Sequence, residues 1–206
     1  MSLIVSSHPL ACHYLSILRN KDTDPTSFRT TTNKLSQILI VEATKELPLK
    51  PYPLSTPLEN TQGKCLSEQI IAVPILRAGL GMLDAAKEII PNIQVGFIGV
   101  QRDESTAKPE SYYSKFPDLS NGHVLILEPM LATGGSLSWA CEKLKHSGAK
   151  KITAICVLVA SPGVERVNRD HSDISIIAAA CDEQLDDRHF IVPGLGDMGD
   201  RLFGTD

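Results

Sequence analysis

Residues 124–136 read Val124-Leu125-Ile126-Leu127-Glu128-Pro129-Met130-Leu131-Ala132-Thr133-Gly134-Gly135-Ser136. The four apolar residues at the start are typical of a strand buried on both faces, as the strands of a parallel sheet are. An acidic residue, a short loop and two glycines follow, and the pattern predicts a helix that begins near Ser136. This strand–loop–helix unit indicates an α/β fold.

The same alternation recurs along the second half of the chain. Further apolar runs predict strands at 70–73, 94–100, 152–159 and 174–179, and helical periodicity predicts helices at 82–90, 137–146 and 164–170. Strands that alternate with helices favour a doubly wound, mainly parallel sheet flanked by helices. Ligands of such sheets bind beyond the carboxyl ends of the strands, so the loops at those ends are the candidate sites.

The first third of the chain has a different pattern. Apolar positions at helical spacing predict a helix over about 26–46, and Pro25 is placed to open it. Residues 47–63 contain four prolines and predict an extended, irregular connection or an edge hairpin. We expect a single domain over residues 1–206, with N-terminal helices at about 7–46, an α/β core at about 68–180 and a C-terminal segment at about 181–206.

The composition argues against several classes of protein. Of the 206 residues, 42% are hydrophobic and 21% are charged, as in an ordinary globular protein. The net charge of −4 argues against nucleic-acid binding, and no apolar run approaches the roughly 20 residues of a membrane span. The N-terminus lacks the positive segment of a signal peptide. Five scattered cysteines and six histidines without metal spacing predict reduced thiols, no zinc site and a cytoplasmic location.

The loop after the first quoted strand has the chemistry of a phosphate site. At a helix start the first backbone N–H groups lack intrahelical partners, and the helix dipole adds about half a positive charge. Thr133 and Ser136 add hydroxyls, and Gly134 and Gly135 let an anion approach the backbone. Glu128 is suited instead to accept hydrogen bonds from ribose hydroxyls. No lysine follows the glycines, so this is not a Walker loop; the alternative is a plain strand–turn–helix junction with a serine cap.

This loop resembles the phosphoribosyl pyrophosphate signature of type I phosphoribosyltransferases, in the form found in uracil phosphoribosyltransferases. That family normally has aspartate where this chain has Glu128, which keeps the charge and adds one methylene. The resemblance implies the type I phosphoribosyltransferase fold. It also implies that phosphoribosyl pyrophosphate is bound by Glu128, Pro129, Met130, Leu131, Ala132, Thr133, Gly134, Gly135 and Ser136.

Two arginines stand at the carboxyl ends of predicted strands. A guanidinium group there can form bidentate hydrogen bonds to a pyrophosphate, although a surface arginine is the alternative for each. The resemblance places Arg77 and Arg102 at the pyrophosphate as catalytic residues, and makes 105–117 an extended, flexible arm. The alternative for the aromatic residues of that arm is packing against a partner subunit.

The residues from 190 to 205 include several glycines and one proline, and a loop of this composition can direct backbone groups at a flat ligand. The alternative is a tail that merely folds back on the domain. The stretch resembles the uracil-binding hood of the same family, which usually has alanine at Met198. The resemblance implies that Ile191, Gly196 and Met198 contact uracil through the backbone, and that Asp197 contacts uracil and phosphoribosyl pyrophosphate with a catalytic role.

The activity implied by the resemblance is transfer of the phosphoribosyl group to N1 of uracil, which yields UMP and pyrophosphate in pyrimidine salvage. It implies Mg²⁺ held mainly by the pyrophosphate with no direct protein ligand, a homo-oligomer (dimer or tetramer), and GTP as an effector. Three alternatives stay open. They are a transferase for a purine base, a regulator of the same fold that binds pyrimidine nucleotides and RNA, and a scaffold with a degenerate site.

Overall fold

The computed structural model describes residues 2–102 and 109–205, with the side chains of residues 101, 102 and 109–111 not described. The first part of the chain forms β1 (Ser2–Val5), α1 (Pro9–Arg19), α2 (Pro25–Thr44), β2 (Leu49–Ser55), β3 (Asn60–Leu66), β4 (Gln69–Leu76), α3 (Leu80–Ile89), β5 (Gln94–Val95) and β6 (Phe97–Arg102). The second part forms β7 (Pro109–Lys115), β8 (Gly122–Leu127), β9 (Met130–Leu131), α4 (Gly135–His146), β10 (Lys151–Ala160), α5 (Ser161–Asp170), β11 (Ser175–Asp182), β12 (Gln184–Leu185), β13 (Ile191–Val192) and α6 (Met198–Phe203).

The central sheet has the strand order β1-β11-β10-β8-β4-β6-β7. In this spatial order every neighbouring pair is parallel except the last, in which β7 pairs with β6 in the antiparallel direction. The short strands β5 and β9 add parallel pairings to β4 and β10. The predicted mainly parallel sheet is confirmed.

Alternate residues of each strand point to opposite sides of this sheet, and helices cover both faces. In β8, Leu125 and Leu127 pack in a core layer with residues of α1, α2 and α3. Val124 and Ile126 pack in a second layer with residues of α4 and α5. Both faces of the strand are therefore buried, which explains its unbroken apolar run.

The predicted helix over 26–46 is α2. Asp24 caps it by accepting hydrogen bonds from the amides of Thr26 and Ser27, and Pro25 occupies the first turn, where its missing N–H costs nothing. None of the helices within the described ranges is long and apolar enough to cross a lipid bilayer.

Three segments differ in detail from the sequence prediction. The apolar run at 94–100 forms two strands, β5 and β6, which pair with β4 in one register and are separated at Gly96. Residues 49–66 form an antiparallel hairpin that is a separate two-stranded sheet and not an edge of the central sheet. β1 lies outside the expected core range and adds an edge strand beside β11.

Candidate active site

The candidate phosphate loop follows β8 at the carboxyl edge of the sheet. The Glu128 amide donates to the Ile155 carbonyl at 3.1 Å, and the Pro129 carbonyl accepts from the amides of Val157 and Leu158 at 2.9 and 3.0 Å. These bonds attach the loop to β10 on either side of the proline. The loop therefore has a fixed path before α4 begins.

The start of α4 is shaped by Gly134. This residue is the N-cap, has φ 77°, and leaves the first turn without a side-chain cap. A Cβ here would lie 2.7 Å from the Gly163 carbonyl oxygen of α5, so no larger residue fits without movement of the backbone. With no acidic residue in the first turn, the helix start presents open amides and positive potential to an anion.

A small cavity of about 40 Å³ marks this helix start. Glu128, Thr133 and Ser136 lie on its wall, and each is half-buried. The remaining lining consists of Met130, Leu131, Ala132, Gly134, Gly135 and Leu137. The structure thus brings together the polar groups that the sequence assigned to the sugar phosphate, with Pro129 buried behind them.

A second cavity of about 210 Å³ lies beside the first, and Met130 and Ala132 line both. Its other wall comes from the C-terminal segment, namely Arg188, His189, Phe190, Ile191, Gly196, Asp197 and Met198. The four residues assigned to uracil from the sequence all lie on this wall. A flat ligand in this cavity would therefore sit next to the phosphate loop; we call the cavity the base pocket.

The base pocket is held against α1 by an ion pair between a buried carboxylate and a partly exposed guanidinium. Arg19 donates to both carboxylate oxygens of Asp182, at 2.7 and 2.8 Å, and to the Gly194 carbonyl at 2.8 Å. The Gly194 amide donates to the same carboxylate at 3.0 Å. The Arg19 hydrogen bonds keep the pKa of Asp182 below its ordinary value.

Arg201 of α6 makes a second attachment between the C-terminal segment and the end of α1. Its guanidinium donates to the carbonyls of Leu18, Asn20 and Leu195 and lies over the Phe28 ring, 4.2 Å from the centroid. Neither Arg19 nor Arg201 was singled out in the sequence. Their partners lie more than 160 positions away, apart from Leu195, so no local pattern signals them.

Arg77 lies beside α6, in the loop between β4 and α3. Its Nη2 is 3.4 Å from Asp200 Oδ1, and Asp197 caps α6 by accepting the Asp200 amide at 2.9 Å. A methyl group on Gly199 would lie 3.2 Å from the Asp197 carboxylate and 3.7 Å from Arg77 Nη2. The catalytic residues assigned at positions 77 and 197 are therefore neighbours. The main chain of Arg102 ends β6, and its side chain lies outside the described part of the structure.

Arg166 of α5 was not selected from the sequence. Its Nη1 lies 3.2 Å from the position that a Cβ would take on Gly135. Only the close contact between α5 and the loop brings it there: a Cβ on Gly163 would collide with the Ala132 carbonyl oxygen. A lone arginine in a helical pattern gives no signal of such a contact.

The buried thiols near the loop are unsuited to nucleophilic chemistry. Burial raises the pKa of Cys156 well above the usual thiol range, and the Glu128 carboxylate raises it further. Burial also raises the pKa of Cys141 to about 12. Both stay protonated at neutral pH, so the site offers charge and hydrogen bonds rather than a cysteine nucleophile.

The mainly parallel sheet flanked by helices, with the candidate phosphate loop beside the base pocket, has the fold of the type I phosphoribosyltransferases. A hypoxanthine phosphoribosyltransferase from Staphylococcus aureus shares the fold, with a TM-score of 0.52, 18% identity, and coverage of 81% of this chain and 85% of that one. The family model described as uracil phosphoribosyltransferase matches residues 5–205. The chain belongs to the uracil phosphoribosyltransferase family.

Individual relatives agree over the full length. The chain is 46% identical over 202 residues to the uracil phosphoribosyltransferase of Malacoplasma penetrans (strain HF-2), with 98% of each chain covered. A solved protein from Aquifex aeolicus superposes with a TM-score of 0.95 at 37% identity and covers 99% of each chain. The family model and these relatives favour uracil over the purine base of the first alternative.

Proposed function

We propose that the chain transfers the phosphoribosyl group of phosphoribosyl pyrophosphate to N1 of uracil through the two adjacent cavities at the carboxyl edge of the sheet. The bond between the anomeric carbon and pyrophosphate breaks, the bond to N1 forms, and the N1 proton leaves to solvent. The observation that carries the proposal is the wall shared by the two cavities at Met130 and Ala132, since a sugar in one cavity and a base in the other would lie side by side.

The sugar phosphate is assigned to the loop. The open amides and hydroxyls from Thr133 to Ser136 bind the 5′-phosphate, and Glu128 accepts hydrogen bonds from the ribose hydroxyls. The 5′-phosphate lies away from the reacting carbon. Its binding energy serves to orient that carbon toward the base.

Uracil is assigned to the base pocket. The side chains of Ile191 and Met198 are buried in the core, with Met198 2% exposed, so their main chains are suited to border the ligand. Backbone N–H and C=O groups can pair with the alternating donors and acceptors of a pyrimidine without any charged side chain. Gly196 adds an open stretch of backbone.

The departing pyrophosphate is assigned to Arg77, Arg102 and Asp197. The transition state at an anomeric carbon resembles an oxocarbenium ion, so stabilising the leaving charge lowers the barrier. The exposed guanidinium of Arg77, next to Asp197, is placed to do this. The reaction needs no general base if N1 loses its proton late.

Mg²⁺ fits this edge through oxygen ligands. In the described ranges no three metal-ligating side chains form a cluster, whereas Mg²⁺ commonly takes one or two carboxylates together with phosphate oxygens. Asp197 is an exposed carboxylate there. When bound, the ion neutralises pyrophosphate charge.

We assign the GTP effector to a groove of about 820 Å³ beside α2, α3 and α6. Arg29, Lys34 and Lys87 line it together with one carboxylate, Asp84, which lies 3.5 Å from Lys87, and the excess of cations suits a triphosphate. The exposed apolar side chains of the β2–β3 hairpin, Leu49, Tyr52 and Leu58, are suited to a contact between subunits. Sedimentation of Tyr52→Ser, and the GTP response of Lys34→Gln, test these two assignments.

The test of the main proposal is UMP formation from labelled uracil, phosphoribosyl pyrophosphate and Mg²⁺. We expect UMP and pyrophosphate in equal amounts, no product with hypoxanthine, and no inhibition by excess hypoxanthine. A chain that folds and makes no UMP, or that prefers the purine, would overturn the assignment.

A further inference from the structure

Arg166 is a cation at the phosphate loop. Its Cβ lies 3.3 Å from the position that a Cβ would take on Gly134, and its Nη1 lies 3.2 Å from the corresponding position on Gly135. Thr133 Oγ1 is 3.8 Å from that second position. The side chain therefore runs across the N-cap of α4, and its guanidinium and a loop hydroxyl border the same space.

The guanidinium is only loosely paired within the protein. Among the described residues its buried Nε has no hydrogen-bond partner and lies 3.6 Å from Asp170 Oδ2, longer than a hydrogen bond, while Nη1 at the other end of the group faces Gly135. The Asp170 carboxylate is engaged by two other groups, the Ser138 hydroxyl at 2.9 Å and Arg169 Nε at 3.0 Å. Asp170 therefore leaves the charge of Arg166 only partly compensated.

The helix that carries Arg166 is fixed relative to the loop. Gly163 packs against the Ala132 carbonyl so closely that a Cβ would not fit, and the Gly163 carbonyl approaches Gly134 in return. A guanidinium on this helix is thus held next to the amides of α4. The loop itself carries no lysine or arginine to balance a phosphate dianion.

We propose that Arg166 binds the 5′-phosphate of phosphoribosyl pyrophosphate and of UMP, together with the amides and hydroxyls at the start of α4. The inference rests on the proposed function of that loop. The helix dipole supplies only about half a charge, whereas a guanidinium supplies a full one and can form two parallel hydrogen bonds to phosphate oxygens. Arg166 is a binding residue in this scheme and contacts none of the bonds that change.

The test measures three ligands on one variant. Arg166→Gln removes the charge and keeps most of the stem that lies on Gly134. By calorimetry we expect UMP and ribose 5-phosphate to bind about 10-fold more weakly, at the lower end for a charge-assisted hydrogen bond because the side chain is partly exposed. Pyrophosphate with Mg²⁺ is expected to bind within about twofold of the wild type. Arg166→Lys is expected to recover part of the loss, and Lys143→Gln, an exposed cation in the last turn of α4, is the control for loss of one charge.

Unchanged UMP affinity in Arg166→Gln would overturn the inference. So would an equal loss for pyrophosphate, because that result indicates a general disturbance of the site. Failure of the wild-type protein to bind UMP at all is a different result, and it would count against the proposed function instead.

Discussion

Arg19 and Asp182 form a bidentate ion pair that joins α1 to the end of β11. Both carboxylate oxygens lie within 2.8 Å of guanidinium nitrogens. The same carboxylate accepts the Gly194 amide, and the same guanidinium donates to the Gly194 carbonyl. Gly194 lies between the two stretches that line the base pocket, 188–191 and 196–198. The pair therefore positions the pocket without touching the ligand.

We expect Asp182→Asn to lower the free energy of unfolding by about 2 kcal/mol, less than for a fully buried pair because Arg19 is partly exposed. The affinity for UMP should fall as well, since the pocket loses an attachment. Urea denaturation and calorimetry measure the two effects. Asp173→Asn, which breaks an exposed ion pair with Lys145, is the control and should change stability by less than about 1 kcal/mol. Equal losses in the two variants would refute the positioning role.

The same pair predicts a dependence of stability on pH. The pKa of Asp182 is lowered in the folded state from its ordinary value of 3.8, chiefly by the Arg19 hydrogen bonds. The stability that the Asp182 carboxylate contributes is therefore present above pH 3.8 and is lost as the pH falls through the lower, folded-state pKa. The difference in unfolding free energy between wild type and Asp182→Asn should shrink in that acid range. A difference that stays constant down to the lowest pH would contradict the linkage.

Gly134→Ala is expected to abolish measurable binding of ribose 5-phosphate. Its φ of 77° disfavours a side chain, and the added Cβ would meet the Gly163 carbonyl at 2.7 Å, so the loop must move. Gly148→Ala is a matched control, because Gly148 also has a positive φ, 99°, but open space around its Cβ position. The control should cost about 1 kcal/mol of stability and bind normally. Normal binding by the folded Gly134→Ala protein would remove the loop from the site.

Met198→Ala is expected to lower the free energy of unfolding by about 2–5 kcal/mol, because a side chain 2% exposed leaves a cavity. The preference for uracil over hypoxanthine should persist, since backbone atoms are assigned to the base. Denaturation and base competition measure the two quantities. Met198→Leu, of similar volume, should lose less than about 1.5 kcal/mol. Loss of base preference in Met198→Ala would show that the side chain selects the base.

Arg77→Ala is expected to lower kcat/KM for phosphoribosyl pyrophosphate. The transition state should lose about 2–4 kcal/mol of stabilisation, as for other lost electrostatic donors. Steady-state kinetics measure this effect. Lys143→Ala, an exposed cation near the far end of α4, controls for the loss of one charge and should leave kcat/KM unchanged. A similar decrease in both variants would point to a long-range effect of net charge.

The fold could be predicted from the sequence because its strands are buried on both faces. The run at 152–159, for example, is apolar except for Thr153, and β10 extends from Lys151 to Ala160. The prediction was less accurate in two segments. Gly96 divides β5 from β6, and the two strands of residues 49–66 pair only with one another. Neither outcome is encoded in hydrophobic periodicity.

The candidate site likewise has a part that the local sequence predicts and a part that it does not. The phosphate loop is contiguous from Glu128 to Ser136, so its chemistry can be read locally. Arg166 and Arg19 act through partners that the fold brings to them, and their spacing along the chain carries no signal. Sequence reasoning therefore selected the candidate loop together with Arg77 and Arg102, and did not select Arg19 or Arg166, whose contacts depend on the tertiary fold.

The contacts that close the base pocket join residues 163 positions apart in one case and 183 in another. The phosphate loop, by comparison, needs only adjacent elements of the sheet. Contacts between distant segments must overcome a larger loss of chain entropy before they contribute, and they tend to form late. A chain that is still folding should thus acquire its hold on a sugar phosphate before it can accept the pyrimidine, and catalytic competence should be the last property to appear.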